Sequence, residues 1–338
     1  MKKNVLFLNG VADTQEAFVY EIDKDGVYKW RSTGSSNVVS YLKNDQFDRS
    51  SILLDTRGDQ ELPRTMISAV FNEISDADTH TITLKKADDF YKSISDKVPF
   101  FNPPALIMNT TRDNIYRLLQ GIGKLNVPKT VKIQPRSPSD IYNIIERENF
   151  EFPVIFRKAG DHGGISTIRV DDEAEQFYEF PLDGRDYYLT QFVEYKENRL
   201  YRKHRLIVMD GNVYLRHVKF GDKWIVHNKT QIANPEKLQK SASKRFKNEV
   251  KTAIQPIIEE IYNRLKLDYF GIDCYIDNAM NILVFEINVS MGIFFQGKSR
   301  DFFEDNREEI RQAMIRMIVE KENPGDSLRI TSKAEALQ

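Results

Sequence analysis

Three side chains with hard oxygen donors lie at fixed offsets in the segment FGIDCYIDNAMNILVFEINVS, residues 270–290. Glu286 and Asn288 are two residues apart in an apolar run, so in a β-strand both side chains point to the same face. Asp273 lies in the preceding apolar run, which predicts the partner strand of a hairpin. Two carboxylates and one amide oxygen suit Mg²⁺, which binds oxygen ligands and shares its coordination sphere with phosphates. The sequence therefore predicts a magnesium site at Asp273, Glu286 and Asn288.

The alternative is a hairpin whose polar face is exposed to solvent. The neighbouring residues argue against it because they are mostly apolar: Tyr275, Ile276, Leu283, Val284, Phe285 and Ile287. A carboxylate inside a buried strand needs a partner, and a metal ion supplies one. Cys274 follows Asp273 and points to the opposite face, so we interpret it as a core residue and not as a nucleophile.

A second hairpin is predicted around Asp210-Gly211, a dipeptide typical of tight β-turns. With a two-residue loop, Arg205 would face Arg216, an unfavourable pair of like charges. With a three-residue loop that includes Asn212, Arg205 faces His217 instead. We therefore predict a three-residue loop and one basic face that suits a γ-phosphate and an acyl phosphate. Its members are Lys203, Arg205, His217 and Lys219, and a solvated basic face remains the alternative.

A glycine-containing loop lies within FRKAGDHGGIST, residues 156–167. Glycines allow a backbone to approach phosphates closely, and successive N–H groups form an anion-binding nest. The segment is not a Walker loop, because residues 156–167 contain no Gly-Lys-Ser/Thr triplet. Gly163 and Gly164 are therefore candidate phosphate-binding residues, with a plain turn between strands as the alternative.

Composition excludes several classes of protein. The chain has 338 residues, a formal net charge of -1, 41% hydrophobic and 29% charged residues, which is ordinary for a globular protein. The charge balance gives no argument for nucleic acid or an anionic membrane as partner. The single cysteine, Cys274, excludes an internal disulfide and favours a reducing compartment. No segment approaches the roughly 20 apolar residues of a membrane span. We expect a cytoplasmic protein and leave a homodimer open.

Short apolar runs and turn residues predict the elements that must position these side chains. Strands are expected at 4–8, 51–55 and 105–108, with a helix at 64–71, which together suggest an open α/β layer. A further helix is expected at 114–121, before Pro128. After Pro128, strands are expected at 129–133, 153–158, 167–170, 187–194 and 224–227, and helices at 139–148, 243–265 and 305–320.

These motifs, in this order, resemble the ATP-grasp superfamily, whose members include D-alanine–D-alanine ligase, glutathione synthetase and the ribosomal-protein glutamate ligase. The sequence resembles in particular a bacterial group of uncharacterised ATP-grasp proteins, some with tetratricopeptide repeats, which are not visible here. The segments that carry the resemblance are TRDNIYRLL (111–119), YRKHRLIVMDGNVYLRHV (201–218), WIVHN (224–228) and LDYFGIDCYI (267–276). The resemblance covers roughly residues 100–300 well and the first hundred weakly.

The resemblance implies roles for individual residues. Lys158 would contact the α-phosphate and adenine region of ATP, whereas Arg157 would point to the other face of its strand. The backbone of Gln191, Phe192, Val193 and Glu194 would pair with the adenine edge. The ribose would be bound by Glu194, Glu197 or Asn198. Among the basic residues of the hairpin, the resemblance favours Arg205 and Lys219.

The resemblance also implies a fold and an activity. The expected fold is a Rossmann-like domain at 1–125, an ATP-grasp lid at 126–190, a larger ATP-grasp subdomain at 191–322 and a flexible tail at 323–338. The expected enzyme is an ATP-dependent ligase that uses Mg²⁺, for which Mn²⁺ can substitute, and joins a carboxylate to an amine of small-molecule or peptide substrates. A small-molecule kinase and a nucleotide-binding regulatory protein are the alternatives.

Overall fold

The structure is a computed structural model. It describes residues 2–330 except 17, 23, 27, 32–33, 35, 37, 43–45, 58–64, 162–163, 165, 174–176, 178, 228–229, 290–292, 294–302 and 322–327.

The N-terminal part is built on a parallel sheet in the order β4-β1-β6-β7, which we call the N-terminal sheet. Two short antiparallel pairs, β2 with β3 and β5 with β17, lie outside it. The strands of this part are β1 (Lys3–Gly10), β2 (Phe18–Ile22), β3 (Tyr28–Arg31), β4 (Phe47–Leu54), β5 (Thr65–Ile67), β6 (Ala69–Asn72) and β7 (Phe100–Phe101), with β17 (Leu328–Ile330) from the end of the described chain.

Two predictions in this part were wrong. The helix expected at 64–71 is replaced by β5 and β6, because β6 is a central strand whose four residues are all buried, and such strands carry no alternating pattern. The strand expected at 105–108 is the short helix α2 (Pro104–Met108), since Pro104 occupies the first helical turn, where its missing N–H costs nothing.

An antiparallel sheet in the order β11-β10-β12-β9 follows, which we call the lid sheet. Its strands are β9 (Thr130–Ile133), β10 (Val154–Lys158), β11 (Thr167–Val170) and β12 (Tyr187–Gln191). Helix α4 (Pro138–Arg147) packs on it and begins with a capping box between Ser137 and Asp140. Phe156, Phe177 and Tyr187 fill the small core.

The third sheet, which we call the large sheet, has the order β14-β13-β15-β16-β8. Its strands are β8 (Leu125–Asn126), β13 (Tyr201–Met209), β14 (Asn212–Gly221), β15 (Tyr269–Ile276) and β16 (Ile282–Asn288). The strand expected at 224–227 is absent, because these residues form bends after β14.

The remaining helices are α1 (Thr81–Ile94), α3 (Arg112–Leu118), α5 (Glu236–Arg245), α6 (Lys251–Leu265) and α7 (Glu304–Glu320). A π-helical turn at Phe246–Val250 joins α5 to α6, so the helix expected at 243–265 begins earlier than predicted. In the described part of the chain, no helix has both the length and the apolar character needed to span a bilayer.

Mixed α/β content in several sheets confirms the predicted fold class. The domain boundaries stay predictions; the sheets change near two of them, at β8 and at the end of β12. The predicted flexible tail is wrong for Leu328–Ile330, which pair with Thr65–Ile67 of β5. Residues 331–338 lie outside the described chain.

Candidate active site

Four polar side chains form one rung across the large sheet. Arg205 on β13 pairs with His217 on β14 on one side and with Asp273 on β15 on the other. Asp273 in turn pairs with Glu286 on β16. Directly opposed residues of antiparallel strands point to the same face, so all four side chains emerge together.

Two β-bulges create this rung. On β14, Arg216 is the extra residue, because Leu206 faces Leu215 and Arg205 already faces His217. On β16, Phe285 is the extra residue, because Cys274 faces Val284 and Asp273 already faces Glu286. Without the second bulge, Asp273 would face Phe285, and Glu286 would lie on the opposite side of the sheet. Bulges near functional sites re-aim side chains in this way.

The loop of the basic hairpin has two residues, so the predicted three-residue loop is wrong. Met209 pairs with Asn212 across Asp210 and Gly211, both of which have positive φ, as a type I′ turn requires. The predicted pairing of Arg205 with His217 and of Lys203 with Lys219 is nevertheless present. The extra residue Arg216 in the bulge shifts the pairing of β13 with β14 by one residue, a shift that the prediction had attributed to a longer loop.

Asp273 is almost fully buried and bound by cations. Arg205 donates to both of its oxygens, Nε to Oδ1 and Nη2 to Oδ2, at 2.8 Å each. Lys203 Nζ donates to Oδ2 at 3.0 Å. Burial opposes ionisation, but the charges of Arg205 and Lys203 outweigh it and hold the pKa of Asp273 well below its usual range. Asp273 therefore carries a full negative charge.

Glu286 is bound by Arg112, a residue that the sequence argument did not identify. Arg112 Nη2 donates to Glu286 Oε1 at 2.6 Å, and its Nη1 donates to the backbone carbonyl of Phe285 at 3.0 Å. Its position in the sequence could have indicated such a role. Arg112 is the first residue of α3, where a positive charge interacts unfavourably with the helix dipole. An arginine at that position indicates an anionic partner outside the helix.

These side chains line a cavity of about 380 Å³ between the lid sheet and the large sheet. One end of the cavity is charged. Among the described residues that line it, five are lysine or arginine and two are acidic: Arg112, Arg157, Lys203, Arg205, Lys219, Asp273 and Glu286. The excess of positive charge suits a polyanionic ligand such as a triphosphate.

Lys219 and His217 share the basic face but differ in position. Lys219 lines the cavity, and burial, followed by repulsion from Arg205 and Lys203, lowers its pKa to about 7. His217 is not among the cavity-lining residues, and its ring lies 6.3 Å from that of Phe303. Burial, followed by the charges of Lys219 and Arg205, lowers the pKa of His217 well below its usual value, so the ring is neutral. A direct role of His217 in phosphate binding stays a prediction.

The other end of the cavity is apolar and aromatic. Its lining residues include Ile155, Phe192, Val193, Tyr195, Trp224, Leu283 and Phe285. The backbone N–H groups of Gln191 and Phe192 already donate to the carbonyls of Lys129 and Pro153. Of the predicted adenine-binding backbone, Val193 is therefore the lining residue whose N–H donates to no other described residue.

The ribose candidates differ in their surroundings. The carboxylate of Glu194 accepts from the N–H groups of Tyr195 and Lys196, both at 2.9 Å, and is exposed next to the cavity wall. Glu197 accepts from Arg202, Tyr275 and Asn278 and thereby joins the large sheet to its hairpin turn. Asn198 lies at the exposed tip of a tight turn, with φ of 49°, and is not among the cavity-lining residues. The geometry favours Glu194 over Asn198.

Strand β10, which leads into the glycine loop, brings Arg157, not Lys158, to the cavity. Val154 and Phe156 are buried in the lid core, so alternation along β10 directs Ile155 and Arg157 to the cavity. Lys158 is partly exposed, with its side chain 4.0 Å from Asp161, and is not among the lining residues. Burial, and then repulsion from Arg112, lowers the pKa of Arg157 to about 10. Gly164 has φ of 80° and lines the cavity, whereas Gly163 lies outside the described residues.

The predicted magnesium ligands are only partly brought together. Asp273 and Glu286 meet on one rung of the cavity wall, while Asn288 faces Gly271 two residues further along β16 and is not among the lining residues. Within the described residues, no three His, Cys, Asp or Glu side chains cluster as a metal site. Two carboxylates on neighbouring strands fit Mg²⁺, which takes one or two carboxylates and completes its shell with phosphate oxygens and water.

Comparison with known sequences supports these observations. The profile of the RimK-like ATP-grasp domain family matches residues 113–303, more than half of the chain. The curated "Coenzyme gamma-F420-2:alpha-L-glutamate ligase" of Methanocaldococcus jannaschii is 31% identical over 118 residues, which are 34% of this chain and 39% of that protein. The match thus spans about two fifths of that relative.

Solved structures share the fold. The VanG D-Ala:D-Ser ligase of Enterococcus faecalis superposes with a TM-score of 0.57 at 14% identity, covering 94% of this chain and 99% of its own. The D-alanine–D-alanine ligase of Coxiella burnetii gives 0.57 at 13% identity, covering 94% of both chains. At such identities the likeness concerns the fold alone. The family match, with a fold of this kind around a cavity lined by Arg205, Asp273 and Glu286, shows that the chain belongs to the RimK-like ATP-grasp family.

Proposed function

We propose that this protein is an ATP-dependent ligase that joins a carboxylate to an amine through an acyl phosphate and releases ADP and phosphate. The observation that carries the proposal is the rung of Arg205, Asp273 and Glu286 at the charged end of a cavity whose other end is apolar. One end suits a triphosphate and the other suits a purine. The family match and the names of its relatives, which include a glutamate ligase, support the same activity.

The lining of the cavity supports one orientation of ATP. The adenine ring would pack among Phe192, Trp224 and Leu283, with its edge paired to the backbone of Val193. Aromatic and aliphatic side chains favour a planar base, while a backbone N–H fixes its orientation. The ribose hydroxyls would then lie near the carboxylate of Glu194. The triphosphate would extend toward the basic end.

At the basic end, Arg157 would reach the triphosphate from the lid, and Lys203, Arg205 and Lys219 from the large sheet. Asp273 and Glu286, with Asn288 as a further predicted ligand, would hold Mg²⁺ or Mn²⁺, which supplies Lewis-acid stabilisation of phosphate charge. In the structure, Arg205 and Lys203 are bound to Asp273. We infer that both turn toward phosphate oxygens when the nucleotide is bound, because a triphosphate offers them competing negative charge.

The chemistry requires positioning and charge stabilisation, not a protein nucleophile. A carboxylate oxygen of the first substrate attacks the γ-phosphorus, and the bond to the bridging oxygen of ADP breaks. Arg205 and Lys219 neutralise the charge that develops on the transferred group. The amine of the second substrate then attacks the acyl carbon, the carbon–oxygen bond breaks, and inorganic phosphate leaves as the amine loses a proton. Closure of the lid sheet over the cavity would keep water from the acyl phosphate.

The finer assignments belong to the same proposal. We place the domain boundaries at 125/126 and 190/191, and we expect small-molecule or peptide substrates and a cytoplasmic location. The single cysteine, Cys274, supports the last of these, because the chain can form no internal disulfide.

An oxygen-isotope experiment tests the reaction. The enzyme is screened with ATP, Mg²⁺, amino acids and small acids, and the carboxylate of any substrate that supports turnover is then labelled with ¹⁸O. An acyl-phosphate route transfers one labelled oxygen to the released inorganic phosphate and forms ADP and a new amide. Label in AMP would show an adenylating ligase instead, and a stable phosphorylated product would show a kinase.

A further inference from the structure

Glu286 reaches the cavity only because of the bulge at Phe285, and that bulge lies on a poorly supported part of the sheet. The outer neighbour of β16 is β8, which pairs only with Ile282 and Leu283. From Val284 onward, no strand of the described chain pairs with that edge of β16. A bulge interrupts ladder hydrogen bonds, so the backbone here needs another partner.

Arg112 supplies that partner from outside the sheet. Its Nη1 donates to the carbonyl of the bulged residue Phe285 at 3.0 Å, and its Nη2 donates to the side chain of the next residue, Glu286, at 2.6 Å. One planar guanidinium thus binds the backbone of the bulge and the carboxylate that the bulge redirects. Both side chains are largely buried, with 20% of Arg112 and 23% of Glu286 exposed. A rigid fork of donors fixes the angle between its two acceptors.

We propose that Arg112 is the positioning residue that aims Glu286 at the divalent cation of the nucleotide complex. The proposal rests on the proposed metal role of Glu286 and assigns to α3, which lies before the lid sheet in the chain, a part in building the metal site. Arg112 acts through Glu286 and the Phe285 bulge. An ammonium group at this position could keep the charge but could not hold both acceptors in one plane.

The test measures binding and needs no acceptor substrate. The chain has two tryptophans, Trp30 and Trp224, and Trp224 lines the cavity. In a Trp30→Phe background, the fluorescence of Trp224 reports ATP binding in EDTA, and electron paramagnetic resonance reports binding of Mn²⁺ in the presence of ATP. The variants are Arg112→Met, Arg112→Lys and the control Arg117→Met. Arg117 lies on the same helix, 64% exposed, and pairs with Asp113 at 2.8 Å.

Arg112→Met should weaken binding of Mn²⁺ about 10- to 100-fold, the usual effect of removing a hydrogen-bond partner of a metal ligand. Its affinity for ATP in EDTA should fall by a clearly smaller factor, because Arg112 donates to Glu286 and Phe285 and affects phosphate binding only through the net charge of the cavity. Arg112→Lys should keep most of the Mn²⁺ defect, and Arg117→Met should match the parent.

Two results would overturn the proposal. Equal losses of ATP affinity with and without metal would make Arg112 a phosphate-binding residue. Full recovery of Mn²⁺ binding by Arg112→Lys would show that charge alone matters. If instead no ligation is found in the isotope experiment while Arg112→Met loses Mn²⁺, the positioning role stands and only the proposed reaction fails.

Discussion

Two buried carboxylates in different parts of the molecule have opposite kinds of hydrogen-bond partner. Glu73, directly after β6 of the N-terminal sheet, is fully buried, and among the described residues its carboxylate accepts from neutral donors: the N–H groups of Val38 and Val39 and the side chain of Asn9, at 2.5, 3.0 and 2.8 Å. Burial raises the pKa of Glu73 to about 7 despite these hydrogen bonds. Asp273 is bound by Arg205 and Lys203, and its pKa lies well below the usual range.

The difference separates a structural carboxylate from one to which we assign a role in the proposed reaction. Neutral donors satisfy hydrogen-bonding capacity but do not compensate charge, so Glu73 gives up part of its ionisation while it fixes the turn at Val38–Tyr41. Cationic donors keep Asp273 ionised and are themselves able to bind a different anion. Under the proposed function, a phosphate that enters the cavity replaces Asp273 as the anion bound by Arg205 and Lys203, whereas the neutral donors of Glu73 offer no such exchange.

The largest effect is expected when Asp273 loses the charge that balances Arg205 and Lys203. Asp273→Asn leaves Arg205 and Lys203 in a buried site without their countercharge, which should lower the free energy of unfolding by about 3–5 kcal/mol and abolish ATP turnover. Urea unfolding at pH 7 measures the loss. The matched control is Asp210→Asn at the exposed turn of the same hairpin, which should change stability by less than about 0.5 kcal/mol.

Binding of pyrophosphate to the same variant tests whether Arg205 and Lys203 bind phosphate. Pyrophosphate offers Arg205 and Lys203 a new anion, so it should stabilise Asp273→Asn more than it stabilises the wild type. The measurement is the shift of the thermal midpoint on adding pyrophosphate without metal. An equal shift in both proteins would show that Arg205 and Lys203 are not the residues that receive phosphate.

The sequence predicted the charged side chains of the cavity better than it predicted the backbone that positions them. Asp273, Glu286, Arg205 and Lys203 could be predicted because carboxylates and cations inside apolar strands are costly without partners. The bulges at Arg216 and Phe285 could not, since a bulge depends on how two strands twist and pack, and neither residue marks it by type. The pairing of Arg205 with His217 was therefore predicted correctly from a wrong loop length.

The same limit explains the residues that were missed. Arg157 was assigned to the wrong face because strand alternation states which residues share a face, but not which face borders the cavity. Arg112 lies more than 150 positions from Glu286 in the chain, so only its unfavourable place at the start of α3 could have indicated a distant anion. In the N-terminal sheet, the fully buried β6 carried no alternation and was mistaken for a helix.

A smaller effect concerns Lys219, whose pKa of about 7 reflects burial, followed by repulsion from Arg205 and Lys203. In the unfolded chain its pKa returns to 10.5, so between pH 7 and 10 the unfolded state binds more protons and stability rises with pH. Lys219→Met removes this dependence. It should be more stable than the wild type by roughly 2 kcal/mol at pH 7, less than the full shift implies because the side chain is partly exposed.

Urea unfolding of both proteins at several pH values checks this prediction, and the difference between them isolates Lys219 from groups common to both. The difference should narrow as the pH approaches 10. A difference that stays constant from pH 7 to 10 would mean that Lys219 remains charged throughout, as a lysine with a permanent anionic partner would.

The smallest effect is expected at Glu73 and has the opposite dependence on pH. Because its pKa is about 7 in the folded protein and returns to 4.5 in the unfolded chain, the folded state binds more protons between these values, and stability falls as the pH rises through them. Glu73→Gln removes the dependence, since its amide oxygen can accept from Val38 and Val39 while Asn9 turns its own oxygen toward the amide NH₂. At pH 8 the variant should be more stable by on the order of 1 kcal/mol, because weaker amide hydrogen bonds offset part of the gain.

Urea unfolding at pH 4.5, 6 and 8 should show this advantage of Glu73→Gln appearing only as the pH rises, with the exposed Glu309→Gln as a control that shows none. A variant less stable than the wild type at pH 8 would mean that Glu73 is ionised and strongly held, and the contrast between Glu73 and Asp273 would then be lost.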